Sequence, residues 1–234
     1  MTARRLREAV CEANRDLFRR GLVFESFGNA SGVDRARGLV VIKPSGVPCE
    51  RLAPSDLVVT DLDGRPVEGR LRSSSDLPTH LEIYRAFPSV GGVAHAHSTF
   101  ATAWAQAGRE IPCLGTAHAD YFPGPVPITR RMTPAEIRTD YEANTGRVIV
   151  RRLARLDPAA TSAVLVHGHG PFAWGASAAD AVRAAAVLEE LARLAWATAT
   201  LNPGAGPIRR ALHEKHFGRK HGPGAYYGQP PRER

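Results

Sequence analysis

Four histidines in two closely spaced pairs are the residues of this chain best suited to chemistry. His95 and His97 end the apolar run "GGVAHAH", and His167 and His169 end "SAVLVHGHG". In a strand, side chains two residues apart share a face and lie about 6–7 Å apart along it. Two imidazoles placed that way can meet one metal ion, and a second strand ending in histidines supplies a further ligand. Three protein ligands with an open fourth position suit catalysis, and imidazoles suit Zn2+, with Mn2+ or Co2+ as possible substitutes. Spacing alone does not choose between His167 and His169.

Three further segments have the chemistry of anion binding. "GNASG", "KPSG" and "RSSSD" each set small hydroxyl or amide side chains beside glycine or a tight turn. Backbone N–H groups in such turns can cradle phosphate, and Lys43 adds positive charge.

These residues need elements to position them. Residues 2–20 carry Leu6, Val10, Ala13 and Leu17 on one helical stripe. "FGNASG" reads as a turn-rich stretch, and "GLVVIKPSG" as a strand entering a turn. "SDLVVTDLDGRPV" reads as a hairpin with Asp63-Gly64 at its tip. "LPTHLEIYRAF" reads as a helix starting near Asp76 or Thr79. "GGVAHAH" reads as a strand, and "STFATAWAQAG" as a helix capped by Ser98 and stopped by Gly108. Residues 109–133 are irregular and rich in Pro and Gly. One helix is expected from Thr133 to about 156, opened by a capping box of Thr133, Pro134 and Glu136. "SAVLVHGHG" is a strand, residues 177–201 a long helix, and 207–218 a short helix before the tail "RKHGPGAYYGQPPRER". The alternation of strands and helices, with no repeat and no long linker, predicts one α/β domain.

The 234 residues suffice for a single hydrophobic core, and 43% hydrophobic with 23% charged residues is a globular composition. No apolar run approaches the ~20 residues of a membrane span. The N-terminus lacks the apolar stretch of a signal peptide, and three isolated cysteines (Cys11, Cys49, Cys113) form no disulfide or zinc framework; both point to the cytoplasm. The net charge of +8 invites a nucleic-acid reading. However, the arginines are scattered among acids, so no nucleic-acid or membrane partner is expected.

The segments "GNASGVD", "VIKPSGV", "SSSDLPTHLEIYRAFPSVGGVAHAHSTFATAWAQAG", "GTAHADYFPGPVPITRRMT", "YEANTG", "VLVHGHGPFAWG" and "KHFGRKHGPGAYYGQ" follow one another as they do in a known family. Together they resemble the L-ribulose-5-phosphate 4-epimerase branch of the class II aldolase/epimerase family, over nearly the whole chain. The resemblance implies a single domain over 1–234, with a central, mostly antiparallel sheet flanked by helices on both faces. It implies His95, His97 and His169 as ligands of Zn2+, with Asp76 where aldolase relatives carry a glutamate near the metal. His167 then becomes structural. Asn29, Lys43, Ser45, Gly46, Ser74 and Ser75 match positions that hold substrate and phosphate. Asp120 and Tyr227 match the acid/base pair; only this match ranks Tyr227 over Tyr226. Glu142 and His216 fall in matching segments without being assigned a role. His118, His213, His216 and His221 read as surface or hydrogen-bonding residues, not as ligands. Ser73 departs from the proline that the family has before the serine pair.

The implied activity is epimerisation of L-ribulose 5-phosphate to D-xylulose 5-phosphate by cleavage and re-formation of the C3–C4 bond. The alternative is an aldolase acting on a ketose 1-phosphate of the fuculose or rhamnulose type. The implied assembly is a cytoplasmic homotetramer, with the tail from about residue 218 to 234 reaching a neighbouring subunit's site. The sugar phosphate would come from a pentose route such as arabinose catabolism.

Overall fold

Alternation of apolar and small residues along the strands builds a sheet that buries both faces. The computed structural model describes residues 3–229. Its strands are β1 (Asn29–Asp34), β2 (Leu39–Ile42), β3 (Val58–Asp61), β4 (Pro66–Glu68), β5 (Gly92–His95), β6 (Ala163–Leu165) and β7 (Pro171–Gly175). They form one sheet in the order β4-β3-β2-β1-β5-β7-β6, with every neighbouring pair antiparallel. The helices are α1 (Ala3–Arg19), α2 (Leu77–Ala86), α3 (Thr99–Ala107), α4 (Thr116–Ala119), α5 (Pro134–Arg138), α6 (Tyr141–Leu153), α7 (Ala178–Leu201) and α8 (Arg210–Lys220).

Each face has its own core. On one, Ala30, Val41, Val59, Ala94 and Ala173 meet α1, α3 and α7 through residues such as Leu6, Val10, Trp104, Val182 and Leu188. On the other, Val40, Ile42, Val58, Val93, Val164 and Trp174 meet α2 and α6 through Leu77, Leu81, Tyr84, Ile149 and Leu153. Val40, Val41 and Ile42 thus point alternately to the two cores, as a doubly covered strand must. The expected helix–sheet–helix layering is present. Small residues let α7 approach closely: a Cβ on Gly92 would lie 2.3 Å from the backbone of Ser177 and Ala178.

Four local expectations need correction. "GNASG" is no turn but the start of β1, paired on both sides and buried. Polar groups of this segment find protein partners. Asn14 of α1 donates to the Ala30 carbonyl at 2.9 Å and accepts from its N–H at 2.8 Å. Ser31 lies 2.7 Å from both His80 Nδ1 and the Tyr84 hydroxyl.

The single helix expected after Thr133 is two, α5 and α6, separated at Thr139 and Asp140. The Thr133–Glu136 capping box itself is present. Residues 171–175, not read as a strand, form β7. Finally, Ser98 sits at the N-cap of α3 without a side-chain bond. The cap is supplied by Glu189 of α7, whose carboxylate accepts from the N–H groups of Phe100 and Ala101 at 2.8 and 2.9 Å. Gly108 closes α3 in the left-handed conformation, as expected.

Candidate metal centre and substrate cavity

β5 lies between β1 and β7, and its last residue, His95, pairs with Asn29 on one side and Phe172 on the other. The chain leaves the sheet at this point, so His97 stands just beyond the strand's end. His169 stands at the turn joining β6 to β7, closed by the His169 N–H to Val166 carbonyl bond of 3.0 Å. The candidate ligand atoms of His95, His97 and His169 all lie within 4.8 Å of one another.

The environment leaves lone pairs available to a cation. His95 Nδ1 donates to the Pro171 carbonyl at 2.9 Å, since a carbonyl can only accept. Neutral His95 therefore carries its hydrogen on Nδ1 and its lone pair on Nε2. Its ring stacks on Phe172, centroid to centroid 4.1 Å. His95 Nε2 and His97 Nε2 are 3.1 Å apart, close to the ~3.3 Å expected of two nitrogens on a tetrahedral ion at about 2.0–2.1 Å. Burial, with His95 and His97 beside it, holds His169 down to about 3. Burial and then His95 also lower His97. Imidazoles that resist protonation and converge fit a divalent cation such as Zn2+.

Asp76, at the N-cap of α2, lines the same cavity without belonging to the tight group of three. Burial opposes its ionisation, but His95, His80, the Asn29 amide and His169 outweigh that and hold its carboxyl below the usual range. Asn29 Nδ2 reaches Asp76 Oδ2 at 2.7 Å and Ser74 Oγ at 3.1 Å.

The two histidines that spacing leaves equivalent have different surroundings. Gly168, between them, has φ +72°, which turns the chain so that His167 leaves the site. His167 Nε2 instead accepts from Arg131 Nε at 3.2 Å. It also packs against Gly108, where a Cβ would lie 2.6 Å from Nε2.

The three imidazoles open into a cavity of about 380 Å3. Asn29, Lys43, Ser45, Gly46, Ser74, Ser75 and Asp76 all line it. The "KPSG" and "RSSSD" turns are joined: Pro44 and Ser73 form a β-bridge, Ser45 N–H donates to the Arg72 carbonyl, and Ser74 N–H to the Lys43 carbonyl, both at 3.0 Å. Lys43 is buried, with Nζ donating to the Ser26 carbonyl at 3.0 Å, and desolvation lowers its pKa. Phe27, Tyr141 and Glu142 complete the wall. No spacing signal pointed to Phe27 or Tyr141; the break before α6 brings Tyr141 here.

Asp120 and Tyr227 do not line this cavity within the chain, yet they belong to one cluster with each other. Arg219 donates twice to the Asp120 carboxylate, Nε at 2.9 Å and Nη2 at 2.6 Å. His216 Nδ1 lies 3.1 Å from it and Lys220 Nζ 3.5 Å. Burial opposes ionisation of Asp120, but these hydrogen bonds and charges hold its carboxyl below the usual range. The Tyr227 ring lies under both Arg219 (4.9 Å) and Lys220 (4.5 Å), and the Tyr227 N–H donates to the Arg219 carbonyl at 2.9 Å. Tyr227 remains 61% exposed. His118 and His213 are hydrogen-bonded to loop carbonyls: His118 Nε2 meets Gly124 O and His213 Nε2 meets Phe122 O. His221 Nε2 meets Asp120 O. Residues 230–234 of the tail lie outside the described residues.

A family model for the class II aldolase and adducin N-terminal domain matches residues 8–196. The chain belongs to this family. Among curated relatives, an L-ribulose-5-phosphate 4-epimerase UlaF from Salmonella paratyphi A is 56% identical over 225 residues, 96% of this chain and 99% of the relative. The protein of that name from Salmonella typhi matches to the same extent. Among solved structures, an L-fuculose 1-phosphate aldolase superimposes with a TM-score of 0.77 at 23% identity, covering 91% of this chain and 94% of that one. The fold is therefore that of a class II aldolase. An L-fuculose-1-phosphate aldolase from Thermus thermophilus has a TM-score of 0.67 at 28% identity, covering 88% and 100%.

Proposed function

We propose that the chain is a metal-dependent L-ribulose-5-phosphate 4-epimerase, interconverting that sugar phosphate and D-xylulose 5-phosphate by cleavage and re-formation of the C3–C4 bond. The observation that carries this reading is a shared cavity: three converging imidazoles and the joined Lys43–Gly46 and Ser74–Ser75 turns face the same space. The 56% identity to epimerases over 96% of the chain directs the choice among reactions of the family.

His95, His97 and His169 would hold the ion, with Asp76 beside it. When bound, a divalent cation supplies Lewis-acid stabilisation of charge developing on substrate oxygens. Zn2+ suits three neutral imidazoles, and Mn2+ or Co2+ can replace it. The Lys43 ammonium, the hydroxyls of Ser45, Ser74 and Ser75, and the N–H groups of Gly46 and Ser75 bind the phosphate, since the Ser45 and Ser74 N–H groups hold the two turns together. That grip keeps the cleaved fragment in place while its aldehyde presents its other face. Asn29 Oδ1 is buried and has no partner among the described residues, so it is available to accept from a substrate hydroxyl.

Asp120, ionised at neutral pH, is in the form that accepts the C4 hydroxyl proton, and the Tyr227 hydroxyl returns a proton on the opposite face. Both act on a neighbouring subunit's cavity in a homotetramer: the tail from about residue 218 carries Tyr227, and Arg219 ties it to Asp120, which follows α4. This reading places the enzyme in the cytoplasm, in keeping with three unpaired buried cysteines and with the absence, among the described residues, of a helix able to cross a membrane.

The test is conversion of L-ribulose 5-phosphate by the metal-loaded protein, with D-xylulose 5-phosphate as the product measured. Absence of product, together with aldehyde release from L-fuculose or L-rhamnulose 1-phosphate, would replace this reading with the aldolase.

A further inference from the structure

Buried His95 and half-buried His169 are oriented from behind by different means. His95 has a backbone acceptor, the Pro171 carbonyl. No carbonyl of the described residues takes that part for His169. Among the described residues its Nδ1 has one hydrogen-bond partner, the hydroxyl of Tyr141, at 3.4 Å. The two rings lie 6.1 Å apart and are tilted by 33°.

Tyr141 is itself held in place. It is the first residue of α6, put there by the break that separates α5 from α6. Thr145 Oγ1 donates to its carbonyl at 2.9 Å. One residue on, the Glu142 carbonyl accepts from Thr79 Oγ1 of α2 at 2.6 Å. Thr79 stands less than a turn beyond Asp76. Asp76 and Tyr141 thus reach the cavity from two helices tied together at their first turns.

We propose that Tyr141 is a positioning residue for His169: its hydroxyl accepts the Nδ1–H hydrogen and so presents Nε2 to the metal. Outer partners of this kind fix both the tautomer and the ring orientation of a ligand histidine. The hydroxyl contributes no ligand atom and no proton to the reaction. Its effect is on how tightly, and in what geometry, the ion is held. The inference rests on the metal-dependent reading above.

The experiment compares the full-length protein with Tyr141→Phe, which keeps the ring and removes only the hydroxyl. Zn2+ affinity is measured by competition with a chromophoric chelator, and the Co2+-substituted forms are compared by visible absorption. The expected result is a roughly 10- to 100-fold weaker Zn2+ dissociation constant. It is accompanied by a shifted Co2+ absorption envelope and unchanged far-ultraviolet circular dichroism of the metal-free protein.

Thr79→Val, isosteric and away from the ligands, frees the first turn of α6 and is expected to weaken Zn2+ in the same direction by less. It decides the matter if Tyr141→Phe does not fold. Wild-type Zn2+ affinity and an unchanged Co2+ spectrum in whichever variants fold would overturn the inference while leaving the metal-dependent reading intact. A wild-type protein that binds neither ion would overturn both.

Discussion

The guanidinium of Arg219 closes on the carboxylate of Asp120 with two parallel hydrogen bonds of 2.9 and 2.6 Å, joining residues 99 apart in the chain. The same Arg219 lies over the ring of Tyr227 and accepts the backbone N–H of that residue through its carbonyl. One arginine therefore connects the proposed base to the proposed acid and folds the tail back on α8. Arg219→Ala should release Tyr227 and leave Asp120 with weaker partners. The expected result is a kcat lowered on the order of 10- to 100-fold by misplacement of the pair, with Zn2+ content unchanged. Steady-state kinetics beside metal analysis checks both halves.

Removal of one ligand should empty the site, and the histidine next but one to it in sequence should be dispensable. His169→Ala is expected to purify without tightly bound metal and without epimerase activity. His167→Ala, which loses only contacts with Arg131 and Gly108, should retain its metal. Treatment of the wild type with a chelator should abolish activity, and Zn2+, Mn2+ or Co2+ should restore it. Metal bound by His169→Ala as tightly as by the wild type would refute the ligand assignment.

His80 gives the protein an acid-sensitive component of stability. It is fully buried, its Nδ1 is bonded to Ser31, and burial lowers its pKa from 6.5 to about 3. The unfolded chain therefore binds a proton that the folded chain refuses between those values. Stability from this group is complete above about pH 6.5 and declines as pH falls toward 3, by about 1.4 kcal/mol per unit. Urea unfolding of the metal-free protein at pH 7 and pH 5 measures it. In His80→Gln the loss between the two should be smaller than in the wild type by about 2 kcal/mol.

Lys43 is a buried cation of the wall proposed to bind phosphate. Lys43→Met preserves much of its volume and removes the charge. The loss of one charge-assisted contact, about 1.5–3 kcal/mol, should raise KM for L-ribulose 5-phosphate roughly 10- to 100-fold. Phosphate protection of the protein against thermal unfolding should weaken in parallel. An unchanged KM would remove Lys43 from the phosphate site.

The elements that bury a continuous stripe, α1 and α7 among them, are legible because periodicity is a local property of sequence. So are the paired histidines, although β5 ends at His95 and His97 stands just beyond it. Three features were hidden because long-range partners create them. "NASG" becomes strand because Asn14, His80 and Tyr84 satisfy its polar groups, and none of them is adjacent. The α5/α6 break contains neither Gly nor Pro, so the capping box at Thr133 suggests a single uninterrupted helix and conceals Tyr141. His167 and His169 are equivalent by spacing, and only the left-handed Gly168 and the packing of His167 on Gly108 distinguish them. Asp120 was placed by resemblance alone, and its arginine partner lies beyond the reach of any local pattern.

The acceptor behind His95 is a peptide carbonyl, and every amino acid has one. No side-chain replacement at position 171 can delete it, although a replacement that bends β7 can move it. The acceptor behind His169 is a phenol, which one substitution removes. The two imidazoles consequently offer unequal targets to mutation: the orientation of one is secured by main chain, and that of the other is open to adjustment by selection.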